Sequence, residues 1–261
     1  DRSDVQVWAR GYADGLAGSE ARSMADAEDL AAVGESDAPD EADPIRSGFG
    51  ELDGLLGLGC SRGSVIIVGA RPSAGKTSLM LDWASHAARH GDGALFFSME
   101  IKDRQIGFRI LAQTSGVPVR ELVERRYSDS GAAARVALAR EDMRTRRFTL
   151  DYTARVTADH VRYVLTSRPS LPSVVVVDYL QLMQPAVAKT PNEGIGRLSR
   201  ELKILAQETG CLFVVGSQLN RECERDNREP RKSDLRDSGN IEEHADVVIL
   251  LHWPGTSGDP D

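Results

Sequence analysis

Beyond residue 45 the apolar positions fall into short unbroken runs separated by stretches with helical spacing. Residues 64–68, 94–97, 148–150, 174–177, 212–215 and 247–251 are predominantly apolar, several of them β-branched, and each run predicts a strand. Between the first two, residues 77–88 carry Leu81, Trp83 and Ala84 at helical spacing. A strand apolar at nearly every position must be covered on both faces. Such strands alternating with helical segments predict an α/β fold, a mostly parallel sheet flanked by helices.

The first 44 residues are different in kind. Residues 5–33 are rich in Ala, Asp and Glu with few apolar side chains and predict a short helix, and the acidic, Pro-containing stretch 34–43 predicts a linker. The chain therefore divides near Pro44 into an acidic N-terminal helix and linker (1–44) and one larger unit (45–261). Of the formal net charge of −8, residues 1–44 carry −9, leaving about +1 on the rest, so basic patches on the body could still meet a phosphate backbone. No apolar run approaches the roughly 20 residues of a bilayer span, and no charged-then-apolar leader opens the sequence; a cytoplasmic protein without a membrane partner is expected. Cys60, Cys211 and Cys223 are too scattered for a disulfide framework or a CxxC metal site and read as structural. The histidines show no metal-ligand spacing.

Chemistry enters between the first strand and the helix after it. Gly69-Ala70-Arg71-Pro72-Ser73-Ala74-Gly75-Lys76-Thr77-Ser78 is built for a phosphate. Gly75 lets the backbone approach closely and the amides at the helix start face an anion. Lys76 can reach the terminal phosphates and Thr77 can ligate Mg²⁺. Arg71, Ser73, Ala74, Gly75, Lys76, Thr77 and Ser78 are the expected nucleotide contacts. The strict phosphate-loop pattern places Gly where this chain has Ala70. Asp178 closes an apolar strand; alone it could simply cap the strand end, but beside a phosphate loop it becomes the second Mg²⁺ contact. Glu100, just past 94–97, is the candidate general base for water attack. Gln218, just past 212–215, can donate and accept and so register a γ-phosphate.

These segments resemble the DnaB-type replicative helicases. The phosphate loop of that family begins Ala-Arg-Pro-Ser, which accounts for Ala70. In the same order follow Phe97-Ser98-Met99-Glu100, Asp178-Tyr179-Leu180-Gln181-Leu182-Met183, Ser217-Gln218-Leu219 and Ser233-Asp234-Leu235-Arg236-Asp237-Ser238-Gly239. The resemblance covers roughly residues 47–253.

It implies a RecA-like P-loop NTPase core that binds ATP and Mg²⁺ between subunits of a homo-oligomer, a hexameric ring around single-stranded DNA, with a primase or loader protein as a further partner. Lys76, Glu100 and Gln218 would serve catalysis and coupling, Thr77 and Asp178 the metal, and Arg236, Asp237 and Gly239 the DNA backbone. Arg236 suits a phosphate and Gly239 a close backbone approach. Arg225, Arg228, Arg231 and Lys232, interleaved with acids, are expected to be a mixed solvated segment. Residues 253–261 do not resemble the family's C-terminal hairpin, whose Lys and Arg reach the adjacent nucleotide site, and residues 1–44 do not resemble its primase-facing domain. Two functions stay open: an ATP-driven DNA helicase, or a RecA-like ATP-binding switch or loader that unwinds nothing.

Overall fold

The apolar runs pair into one sheet, seen in a computed structural model that describes residues 5–9 and 44–252 except 58, 92, 186, 187, 189, 221–227, 236 and 237. Its strands are β1 (Val5–Ala9), β2 (Val65–Ala70), β3 (Ala94–Ser98), β4 (Phe148–Asp151), β5 (Val174–Asp178), β6 (Leu212–Gln218) and β7 (Val247–Leu251), in the spatial order β1-β7-β2-β6-β5-β3-β4. From β7 to β4 every neighbouring pair is parallel; β1 alone is antiparallel, on β7.

β1 corrects the helix expected at the start of the acidic segment. Val5, Val7 and Trp8 are residue types that favour strands, and the outer edge of β7 offers N–H and C=O groups that only a strand can pair. The rest of the expected helix and linker, residues 10–43, lies outside the described residues.

The doubly apolar strands split cleanly by parity. Val65, Ile67, Leu95, Phe97, Val175, Val177, Phe213 and Val215 pack on one face against α6 (Ala158–Thr166), α7 (Pro191–Thr209) and α8 (Ser238–His244). Ile66, Val68, Phe96, Val174, Val176 and Val214 pack on the other against Met80, Leu81, Trp83, Ala84 and Ala87 of α2 (Lys76–Arg89). Burying each such side chain contributes roughly 1.5–3 kcal/mol, which is why these strands tolerate no polar position before their ends. A third, smaller apolar cluster joins α3 (Asp103–Ser115), α4 (Val119–Glu124) and α5 (Ala132–Thr145), inserted between β3 and β4, around Leu111, Val117, Leu122 and Val136. The short α1 (Gly50–Leu55) precedes β2 and is fixed by Asp53, whose carboxylate accepts from the Ser47 N–H and hydroxyl at 2.7 Å each. Cys60 and Cys211 are buried and free; burial, with Asp53 adding, pushes the Cys60 thiol up to about 12, and burial likewise raises Cys211. Both are inert core thiols, as expected; Cys223 lies outside the described residues.

Candidate functional site

Because β2, β3, β5 and β6 run parallel, their C-terminal ends open on one edge of the sheet, and the polar residues that end them meet there. From Ala70, buried at the end of β2, the chain turns through Arg71 to Gly75 into α2. The Ala74 N–H donates to the Arg71 carbonyl at 3.3 Å, and Ser73 and Gly75 take left-handed φ values of 63° and 92°. A Cβ on Gly75 would meet nothing within 4 Å, so the backbone conformation, not crowding, calls for glycine. No side chain caps the first turn of α2, which leaves its N–H groups open to an anion.

Lys76 and Thr77, the first residues of α2, both reach Asp178 at the end of β5. The Lys76 ammonium lies 3.2 Å from Asp178 Oδ1, and Thr77 Oγ1 donates to Asp178 Oδ2 at 2.7 Å. Asp178 is sealed from solvent, and its Oδ1 accepts no hydrogen bond despite the nearby charge. Burial pushes the Lys76 ammonium below the usual lysine range; the carboxylates of Asp178 and then Glu100 pull it back. The same ammonium sits 4.0 Å above the Tyr179 ring. Beneath it runs Gly216 of β6, where a Cβ would stand 3.2 Å from Lys76 Cδ and 3.2 Å from Tyr179 Cβ. Glycine there leaves room for the lysine stem.

Glu100 arrives by a tight turn off β3. Ser98 pairs in register with Asp178, the Met99 N–H donates to the Asp178 carbonyl at 3.2 Å, and Ser98 Oγ donates to the Ile101 carbonyl at 2.5 Å. The carboxylate itself is exposed, at the rim of a cleft of about 660 Å³. Arg71, Ser73, Gly75, Lys76, Thr77, Ser78, Glu100 and Gln218 all line that cleft. Ala74 lies in the loop itself and Asp178 beneath the floor. Thus every expected nucleotide, metal and catalytic residue gathers at one edge.

Of the expected DNA contacts, Arg236 and Asp237 lie outside the described residues, and Gly239 falls in α8. Their approach is nonetheless described. Leu219, directly after Gln218, forms an antiparallel bridge with Leu235, directly before Arg236, and the Asn220 N–H donates to the Asp234 carbonyl at 2.7 Å. Asp234 is buried and takes both Arg228 Nη1 at 2.6 Å and Nη2 at 2.7 Å, while Lys232 pairs with Glu242 at 3.2 Å. Arg228 and Lys232 are thus ion-paired, with Asp234 and Glu242, both beyond the acids interleaved among them; the Arg231 N–H donates to Asp234 Oδ2 at 2.7 Å, and Arg225 lies outside the described residues.

Sequence reasoning missed Tyr179, Gly216, Ile101, Arg109 and Val119 at the cleft. Arg109 and Val119 come from α3 and α4, whose folding back onto the site carries no local signal. Tyr179 and Gly216 adjoin singled-out residues, but their use depends on how β5 and β6 lie together. Among the described residues, no three His, Cys, Asp or Glu side chains form a metal cluster and no helix is long and apolar enough to cross a membrane.

This geometry has close parallels. The family described as DnaB-like helicase C terminal domain matches residues 44–259. The replicative DNA helicase DnaB of Helicobacter pylori strain 26695 is 34% identical over 217 residues, 81% of this chain and 44% of its own length. That of Leifsonia xyli is 36% identical over 214 residues, 80% of this chain and 46% of its own length. A probable plasmid replicative DNA helicase of Chlamydia trachomatis is 34% identical over 216 residues, 80% and 47% of the two chains. The chain thus spans about half the length of the curated relatives it matches. Among solved structures, a DnaB-like replicative helicase studied with its primase interactions superposes with a TM-score of 0.79 at 26% identity, covering 90% of this chain and 58% of its own. A second solved structure, of an ATPase domain, gives 0.76 at 27% identity, covering 86% and 80%. The sheet, the helices on its two faces and the site at its C-terminal edge are those of a RecA-like ATPase core, and the chain belongs to the DnaB-like helicase C-terminal domain family.

Proposed function

We propose that this chain is the ATP-hydrolysing motor of a DNA helicase that moves along single-stranded DNA. The observation that carries the reading is the convergence of Lys76, Thr77 and Asp178: a cation, a hydroxyl and a sealed carboxylate within hydrogen-bond or ion-pair distance, behind an uncapped helix start. The donor set fits Mg²⁺, which takes hard oxygen ligands and is commonly held by one or two carboxylates together with substrate phosphates. Asp178 offers it two carboxylate oxygens, Oδ2 beside the Thr77 hydroxyl and Oδ1 beside the Lys76 ammonium. Thr77 and Asp178 would hold the ion, which when bound neutralises charge on the phosphates.

Lys76 and the first N–H groups of α2 then bind the β- and γ-phosphates of ATP and stabilise the charge that shifts onto the leaving oxygen. Glu100 accepts a proton from water as its oxygen bonds to the γ-phosphorus; the bond from that phosphorus to the bridging oxygen breaks, leaving ADP and phosphate. Exposure suits this role, since a base must meet water. Gln218 lies at the rim and is joined through Leu219 and Leu235 to Arg236, so the presence of a γ-phosphate can alter the loop expected to hold DNA.

The cleft meets solvent beside the exposed Glu100, which accords with a neighbouring subunit completing it in a homo-oligomer, a hexameric ring by family resemblance. The solved relative studied with primase supports a primase as a further partner. The test is the steady-state ATPase rate with and without single-stranded DNA across a protein concentration series. A rate that rises with both supports a shared site in a DNA-gripping assembly. A flat, negligible rate despite ATP binding would leave an ATP-binding switch.

A further inference from the structure

Strand β6 outlasts β5 at the edge that carries the site. The two pair from Val174↔Leu212 to Val177↔Val215, whereas β6 continues beside β2 until Gln218 faces Ala70. In a parallel ladder alternate residues turn their backbone groups to alternate neighbours. The Leu212 N–H donates to the Ser173 carbonyl at 2.7 Å on the β5 side; those of Phe213 and Leu219 donate to Ser64 and Ala70 at 2.9 and 3.2 Å on the β2 side. Gln218 shares the parity of Leu212, so its N–H points toward β5, which has ended at Asp178. That N–H needs an acceptor from elsewhere.

Gln181 supplies it. Its Oε1 accepts the Gln218 N–H at 3.2 Å, and its Nε2 donates to Ser217 Oγ at 2.9 Å, a fully buried hydroxyl. Chemistry fixes the amide's orientation, since a backbone N–H can be met only by the oxygen. Gln181 stands in the short 3-10 turn Leu180–Leu182, separated from Asp178 by Tyr179 and Leu180. One side chain therefore joins the chain leaving the metal-holding carboxylate to the strand end that carries the phosphate sensor.

We propose that Gln181 is a positioning residue for Gln218: its amide replaces the missing strand partner and keeps the sensor in register with the Lys76–Asp178 pair. The proposal rests on the reading of Gln218 given above. It touches neither substrate nor metal; it acts through the end of β6. Displacing a group by about 1 Å at a reacting centre can cost up to a hundredfold in rate, so losing this tie should appear in turnover and in nucleotide-dependent DNA binding, not in affinity for ATP.

The experiment uses the full-length protein assembled with single-stranded DNA and compares Gln181→Met, which keeps volume and removes both bonds, with Gln181→Glu, which keeps the acceptor for the Gln218 N–H. In Gln181→Met, kcat should fall between roughly ten- and a hundredfold with KM for ATP little changed. The ratio of single-stranded DNA affinity with a non-hydrolysable ATP analogue to that with ADP should collapse toward one. Gln181→Glu should recover a large part of both. Gln218→Ala should remove the same affinity ratio, and adding Gln181→Met to it should change nothing further. A Gln181→Met protein with lowered Tm but an intact ratio would show a merely structural staple and overturn the proposal alone. An intact ratio in Gln218→Ala would overturn the reading of Gln218 and the proposal with it. Should Gln181→Met not fold, Gln181→Glu decides: wild-type behaviour supports the tie through the Gln218 N–H, and a collapsed ratio overturns it.

Discussion

Asp178 and Glu100 are carboxylates carried at the ends of adjacent parallel strands, yet one is sealed under Lys76 and Thr77 and the other stands in solvent. Asp178 continues β5 directly, so the sheet buries it; Glu100 sits two residues past β3, on a turn that the Ser98 hydroxyl ties to Ile101. Strand length thus sorts one chemical group into two settings. A group that holds a cation gains from a dry, fixed setting, whereas a group that takes a proton from water must be wet and free to approach. Toward the expected DNA side a second carboxylate is buried, Asp234, held by the Arg228 guanidinium.

The largest break in this comparison comes from the wet partner. Glu100→Gln should lower kcat by about 10²- to 10⁴-fold while ATP affinity is kept, measured by single-turnover hydrolysis beside titration with a fluorescent nucleotide. Hydrolysis at the unmutated rate would show that another group is the base. On the dry side, Lys76→Ala should weaken ATP binding about 10- to 150-fold, the loss of a charge-assisted bond of roughly 1.5–3 kcal/mol, read by calorimetry. It also leaves Asp178 buried without its cation, so Tm should fall unless Mg²⁺ is added.

Around Asp234 and the expected DNA loop the effects are smaller. Asp234→Asn should cost about 1–3 kcal/mol in denaturant unfolding. The Arg228 guanidinium, then the Arg231 N–H, hold the Asp234 carboxyl below the usual carboxylate range. Because the folded value is the depressed one, this contribution is whole above about pH 4 and fades as pH falls through the folded value; the asparagine variant should lack that acid limb. Arg236→Ala should leave ATP affinity unchanged and reduce the salt slope of single-stranded DNA binding by roughly 0.7, one phosphate contact. An unchanged slope would remove Arg236 from the DNA contacts.

What can be foreseen from sequence follows from where the physics is local. Residues 174–177 and 212–215 announce themselves because a strand buried on both faces must be apolar throughout, and Gly75-Lys76-Thr77 because a phosphate loop is a contiguous turn. Gln181 and Gly216 stay hidden: their roles arise from β5 ending before β6 and from a lysine stem crossing a neighbouring strand, neither of which has a sequence period. Arg109 belongs to the α3–α5 insertion, where Ile106, Ile110 and Leu111 are interrupted by Arg and Gly, so no clear stripe shows which way the helix faces. β1 reads as helix because Ala and acids dominate the segment, whereas the waiting edge of β7 decides its conformation.

The bridge between Leu219 and Leu235 has a consequence in the opposite direction from hydrolysis. If phosphate occupancy at Gln218 shifts the affinity of the loop beyond Leu235, thermodynamic reciprocity requires that whatever the loop holds shifts the affinity for nucleotide by the same factor. A strand captured by that loop would then change how readily ATP is retained, so the nucleotide cleft would report the occupancy of a surface it never touches.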